Sequence, residues 1–296
     1  MMASKKMLLG DKSVRQLLQE MLRENLEKII FNLQEFTLTQ KPESLHQYRV
    51  ALRMTRSVCR EFSEFMEEKY QILLDKKLKV LQKETNAMRD TDVFLESLSG
   101  YDKKVSLECQ IAFEKLQMEL CSEKEALWKV FEMKYSPSEQ EKIVTWFGQF
   151  KNDEKLFVAK SQEKLFNYSR EILQKRLKKI AKISAKLTLE TPNDRYHALR
   201  LQYKKMRYTS DALGLNAFSK SFKPIQTAFG MVQDKNTQIA HLKAYELSLG
   251  ISLVEIIERL EEGIRVDKQA CIEKSTVQKI EKLQEKIEKF FTCKAV

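Results

Sequence analysis

The sequence predicts an all-α protein, and three observations carry that reading. Glycine (7) and proline (4) are scarce among 296 residues, so the tight turns of a β-rich fold have few residues to build them. Leu, Lys, Glu, Gln, Ala and Met, all good helix formers, fill most segments. Apolar residues also recur at helical spacing along nearly the whole chain.

The elements follow in order. Periodicity runs from near Asp11 to about Phe36, with Val14, Leu17, Leu18, Met21, Leu22, Leu26, Ile29, Ile30 and Leu33 on one face. After a break at "TQKP" comes "PESLHQYRVALRMTRSVCREF", from Pro42 to Phe62. Amphipathic segments continue at 67–87, 92–98 and 104–134. "YSPSEQEK" (Tyr135 to Lys142) holds Ser and Pro where a helix stops and restarts, and it marks the midpoint. The second half offers helices at 138–150, 153–188, 193–213, 220–232 and 235–262. A last segment, Glu273 to Phe291, places Val277, Ile280, Leu283, Ile287 and Phe290 on an apolar side that is expected to pack on its own bundle, leaving the protein a monomer.

Five cysteines (Cys59, Cys109, Cys121, Cys271, Cys293) are odd in number and widely spaced, with no C-x-x-C pair. This argues against a disulfide framework or zinc knuckle and fits reduced thiols in a cytoplasmic protein. The opening "MMASKKMLLGDKS" has an apolar run too short for a signal peptide, and no stretch approaches 18 apolar residues, so no membrane span is expected. The net charge of +11 and pI near 9.2 point to an anionic partner. Charge is concentrated between Arg170 and Arg207, where 12 Lys/Arg stand against 3 Asp/Glu.

Within that balance two segments share a pattern. His46, Arg49, Arg53 and Arg56 follow one another at steps of three, four and three residues, and so do His197, Arg200, Lys204 and Arg207. On a helix these positions fall within an arc of roughly 80° and span roughly 15 Å of axis. Tyr48, Leu52, Val58, Cys59 and Phe62 occupy the other side of the first segment, so it is expected to bury one face and show cations on the other. Upstream of the second copy, Lys175, Lys179, Lys182 and Lys186 share one face, opposite Leu173, Leu177, Ile180 and Leu187. A solvated surface face is the plain alternative, but such faces mix signs because Glu–Lys pairs at i, i+4 stabilise helices. These stripes hold no acid, and their like charges repel unless an anion neutralises them. Each histidine also stands close to a helix N-terminus, which attracts anions. Neither has a second His, Cys or carboxylate at ligand spacing, so no metal is expected.

The halves read as copies. "TNAMRDTDV" (85–93) trails the first stripe and "FGMVQDKNT" (229–237) trails the second. With these trailing segments, "LHQYRVALRMTRS" and "YHALRLQYKKMRYTSDAL" resemble the two repeats of a CHAD domain, the conserved histidine α-helical domain. The resemblance covers about residues 11–262 of a single domain spanning 1–296, with halves at about 11–135 and 138–262 and the C-terminal helix at about 273–291. It implies two antiparallel four-helix bundles related by pseudo-twofold symmetry around a basic central groove. It also implies binding of inorganic polyphosphate, in association with polyphosphate granules, and the absence of catalytic motifs makes that binding non-catalytic. The basic positions fall on His46, Arg49, Arg53, Arg56, His197, Arg200, Lys204, Lys205 and Arg207; Lys175, Lys179 and Lys182 join them from the lysine face. The second trailing motif has Gln233 where the first has Arg89, which makes Arg89 the better phosphate-contacting candidate. Asp90 and Asp234 either orient a cation or cap a helix.

Two rival functions stand beside this reading. An enzyme acting on phosphoanhydrides needs a signature such as E-x-E-x-K, a P-loop or an H-D pair, and the sequence has none; no catalytic residue or cofactor is assigned. RNA or DNA binding fits the basic helices, but no aromatics are interleaved on the stripe face for stacking, since Tyr48, Tyr203 and Tyr208 fall elsewhere on their helices.

Overall fold

The computed structural model describes residues 12–98, 101, 105–151 and 153–292. Among them the α-helices are, in chain order, α1 (Val14–Thr39), α2 (Pro42–Glu61), α3 (Glu68–Glu84), α4 (Asn86–Ser97), α5 (Leu107–Lys134), α6 (Pro137–Gly148), α7 (Leu165–Ser184), α8 (Asn193–Ala212), α9 (Asn216–Leu249), α10 (Val254–Lys274) and α11 (Val277–Thr292). The described residues form no strand, only an isolated bridge between Met66 and Phe157. Cys293 and most of the N-terminal "MMASKKMLLGDKS" lie outside the described residues. Among the described helices none is long and apolar enough to cross a membrane.

The chain divides into two compact units. One comprises Ser13–Gly100 and Gln117–Glu163; the other comprises Met1–Lys12, Tyr101–Leu116 and Lys164–Val296. In the first, α1 starts at Ser13 with a capping box: the Ser13 hydroxyl accepts from the Gln16 amide while the Gln16 side chain accepts from the Ser13 amide. It ends at Gln40 in the left-handed conformation, φ 54°, and Pro42 opens α2 at a position where no amide donor is needed. That two-residue link folds α2 back along α1. The expected apolar face of α1 is buried from Val14 to Leu33, except that Ile30 is half-buried. Helix α3 lies on α2, α4 touches α2 and α3, and α6 touches α1.

The second unit repeats the neighbour relations of the stripe-bearing helix: α8 packs on the helix before it, α7, and on the helix after it, α9. Leu173, Leu177 and Ile180 are fully buried and Leu187 nearly so, while Lys175, Lys179, Lys182 and Lys186 are exposed, as the sequence predicts. Helix α10 packs on α9, and α11 packs on α7. Ile280 and Ile287 of α11 are fully buried, and its two terminal phenylalanines make edge contacts, Phe291 with Phe166 at 5.0 Å and Phe290 with Phe218 at 5.7 Å.

Several expected elements differ from the sequence reading: the segments expected at 67–87 and 92–98 are α3 and α4, which meet at Thr85, and the helix expected at 235–262 is interrupted between Leu249 and Val254. The segment 153–188 is one periodic run in the sequence, yet it begins with two short 3-10 turns (Glu154–Leu156 and Ala159–Gln162) before α7. Its backbone is claimed by another segment: Glu67 N donates to Leu156 O at 2.8 Å, and Val158 N donates to Phe65 O at 3.2 Å. The expected break near 233–234 is absent, since α9 runs unbroken through it and ends at Gly250, whose φ of 61° glycine adopts without steric cost. The polar run Gln233 to Asn236 stays helical because its side chains find partners on other helices; Lys235, for one, pairs with Asp267 of α10 at 2.6 Å.

Removing buried methyl groups from α11 tests its role as core. Ile287→Ala is expected to cost about 2–5 kcal/mol, the range for truncating a fully buried aliphatic, read as a lower urea midpoint at unchanged m-value.

Candidate anion-binding site

Both stripes sit on 20-residue helices, and His46 and His197 are each the fifth residue of their helix. The reason these helices show cations on one side is the aromatic weight of the other. Tyr48 of α2 and Phe62, the residue that follows that helix, are fully buried, and so is Tyr203 of α8; Tyr196 and Tyr208 nearly so. The three tyrosines excluded from stacking by the sequence are therefore core residues.

The stripe of α2 is not uniformly outward. Arg49 is buried, and its Nη1 donates to Gln82 O at 2.9 Å and to Thr85 Oγ1 at 3.0 Å. These acceptors lie at the C-terminal end of α3, where carbonyls lack helical donors and a cation is favoured. Arg49 therefore serves first as a cap for α3. Arg56 points to the same helix: Nη1 donates to Gln82 Oε1 at 2.7 Å, and Nε donates to Asp75 Oδ1 at 3.2 Å. Arg60, one turn on, holds Asp75 in a two-pronged pair at 2.8 and 2.7 Å. Burial alone would raise the Asp75 carboxyl, but the hydrogen bond from Arg60 and the charge and hydrogen bond of Arg56 outweigh it and keep the acid below its ordinary range. Asp75 is thus an internal anion at the far end of the stripe.

The near end is the more crowded with positive charge. Burial, then the charge of Arg53, push Arg49 down to about 10, with Arg89 of α4 adding to the effect and Asp90 opposing it. Burial and the charge of Arg89 are also the leading causes that hold His46 below its usual 6.5, with Arg53 and Arg49 adding to them. The structure therefore brings His46, Arg49, Arg53 and Arg89 into one electrostatic cluster.

In α8, His197 Nδ1–H donates to Gln233 Oε1 at 2.6 Å, an orientation fixed because the Gln233 amide nitrogen donates to Thr237 Oγ1. Gln233 thus stands to His197 as Arg89 stands to His46, a correspondence that makes the substitution at 233 a change of chemistry at a retained position. Arg200 pairs loosely with Asp234 at 3.8 Å, and Arg207 with Asp211 at 3.8 Å, distances too long for hydrogen bonds. Lys204 is half-buried and Lys205 exposed. Lys175, Lys179 and Lys182 stand on the exposed face of α7. Asp90 is exposed, whereas Asp92, two residues on, is buried and pairs with Lys124 at 2.7 Å.

One feature unites the two helices. The Nε atoms of Arg49, Arg53, Arg200 and Arg207 are buried without a hydrogen-bond partner. A buried donor left unmade costs about 1–3 kcal/mol, and two such donors stand on each stripe. What the sequence alone did not reveal is which cations have internal partners. Asp75, Gln82 and Thr85 lie 15 to 36 residues from the arginines they meet, on helices whose register the sequence does not specify.

The family model for the CHAD domain matches residues 20–243. The chain belongs to the CHAD domain family. Two solved structures share the fold of this CHAD domain. The CHAD domain from the plant Ricinus communis aligns with a TM-score of 0.65 at 19% identity, covering 93% of each chain. PptA from Streptomyces chartreusis aligns with a TM-score of 0.65 at 11% identity, covering 93% of this chain and 99% of PptA. At such identities the likeness is one of fold. A search of curated protein sequences finds no match.

The arginines separate by substitution. Arg49→Ala is expected to lower stability by about 1–3 kcal/mol, because it uncaps α3 and leaves buried acceptors unpaired. Arg53→Ala is expected to leave stability unchanged or raise it, because it removes a buried unpaired donor from a like-charged cluster. Urea unfolding of the two variants beside the parent protein reads the difference.

Proposed function

We propose that this CHAD domain binds inorganic polyphosphate without consuming it, through the cationic stripes of α2 and α8. The observation that carries the reading is the set of four buried guanidinium Nε donors without protein acceptors, distributed over two helices that each lead with a histidine. Family membership supports the ligand class. Polyphosphate offers about one negative charge per unit and no bases, so it suits arginine forks and lysine point charges that need no fixed register. Arg53, Arg200, Lys204 and Arg207 are the principal contacts in this proposal, with His46, Arg89 and His197 beside them. Lys175, Lys179, Lys182 and Lys205 add long-range attraction. Arg49 and Arg56 contribute less than their place in the stripe suggests, because α3 already engages them. The pseudo-twofold relation of the halves, a basic groove shared by the stripes, a monomeric state and a cytoplasmic, granule-associated location belong to the same proposal.

Binding is expected to exceed that of single-stranded RNA of equal charge in direct competition, with no orthophosphate released in the presence of magnesium. RNA winning the competition, or phosphate release above that of an Arg53→Ala/Arg200→Ala variant, would overturn the reading. The slope of log affinity against log salt should fall by roughly 0.7 for each phosphate contact removed. If the stripes share one groove, calorimetry with a short defined polyphosphate gives one site that weakens with either stripe mutated; half the stoichiometry at unchanged affinity would refute the shared groove.

A pH dependence follows from His46. In the free protein its lowered pKa keeps the ring neutral near pH 7, whereas a bound polyanion favours the imidazolium. The complex therefore holds more protons than the free protein, and affinity should rise as pH falls through the bound-state pKa toward the free-state value, which lies below 6.5. His46→Gln should flatten that part of the profile measured by calorimetry.

A further inference from the structure

Away from the stripes, the unit that carries α2 has a groove of about 750 Å³. It is formed by the last turns of α1, the end of α5 and the first turns of α6. Phe31, Leu38, Trp128 and Tyr135 supply its apolar lining, backed by packed aromatic rings. Trp128 meets Phe36 edge-on at 5.5 Å, Phe36 meets Phe131 at 5.1 Å, and Phe131 stacks on Tyr135 at 4.4 Å. Gln140 fixes the start of α6 by donating to Tyr135 O at 2.8 Å. At the rim, Phe31 is 61% and Leu38 81% exposed.

The charge of this groove is opposite to that of the chain. Glu35, Glu132 and Glu141 line it and no Lys or Arg does, in a protein of net charge +11. Helices α1 and α5 both end here, and the last turn of α1 carries no basic residue to offset its negative dipole end. Phe31, Glu35 and Leu38 stand at i, i+4 and i+7, so α1 offers a two-turn stripe at the spacing that a second helix matches with its own anchors.

We propose that this groove docks an amphipathic helix of a partner protein, with apolar side chains against Phe31, Leu38 and Trp128 and with lysine or arginine facing Glu35, Glu132 and Glu141. The site would tether the polyanion-binding protein to a basic partner through a surface separate from the stripes. It does not depend on the identity of the anion.

The probe is a synthetic amphipathic helix of leucine and lysine, compared with one in which glutamate replaces every lysine. Full-length protein carrying Trp146→Phe leaves Trp128 as the reporter, since the chain has two tryptophans. A saturable change in Trp128 fluorescence is expected with the lysine helix and none with the glutamate helix. Leu38→Lys should weaken the interaction by about tenfold or more, and Glu132→Lys/Glu141→Lys should reverse the preference between the two helices. These side chains are exposed, so folding should be retained, which circular dichroism checks; Phe31→Lys offers the same test at another exposed rim position. Titrations unchanged by Leu38→Lys and Phe31→Lys, or a preference unchanged by the charge reversal, would overturn the proposal. A dimer seen by light scattering for the parent protein and lost in Leu38→Lys would assign the groove to a second copy of the chain instead.

Discussion

Repulsion among like charges on one helix face is the constraint around which the rest is arranged. Arginines spaced by three and four residues crowd one another, and burial of their stems sharpens the conflict because the surroundings screen charge poorly. Burial first, and then that crowding, lowers the basicity of Arg49 and His46. What keeps the cations together is the opposite side of the same helix. The fully buried Tyr48, Leu52 and Phe62 hold α2 in place, and Tyr203 with Leu199 does so for α8. A fully buried apolar side chain contributes about 1.5–3 kcal/mol, so a few of them outweigh the repulsion of half-buried cations.

The two helices relieve the conflict by different means. In α2 a neighbouring helix supplies acceptors: Gln82 and Thr85 for Arg49, and Asp75 for Arg56 and Arg60. In α8 the carboxylates stand farther away, at 3.8 Å for both Asp234 and Asp211, and the histidine is tied to a neutral amide. The first stripe is therefore partly satisfied by hydrogen bonds from within, whereas the arginine–carboxylate pairs of the second stay beyond hydrogen-bond distance. A repeat that looks balanced in sequence is unequal in its electrostatics.

The acidic, aromatic-walled groove at the ends of α1 and α5 shows the same economy of sign. Cations are gathered on α2, α7 and α8, and the groove keeps Glu35, Glu132 and Glu141 without an intervening base. In the unit that carries α2, the cations of that helix and the acids of the groove therefore lie on separate elements.

The helical class, the apolar faces of α1 and α7, the packing of α11 and the two stripe-bearing helices were legible in the sequence, because helical periodicity and scarce glycine are local properties that each segment carries alone. The family too was legible, since the matched spacing of His46 to Arg56 and His197 to Arg207 is a linear pattern. Tertiary structure alone decided which internal acceptors meet Arg49 and Arg56. Arg49 and Arg53 look alike in the sequence and both leave Nε unpaired, yet Arg49 also has its Nη1 engaged at the end of α3, because the packing of α3 on α2 brings Gln82 and Thr85 to it. The same holds for α9, where a polar run that reads as a break stays helical once His197 and Asp267 receive its side chains. Periodicity records which face is apolar; the partner that meets a polar atom on the other face comes from a distant segment, and its register is set by packing.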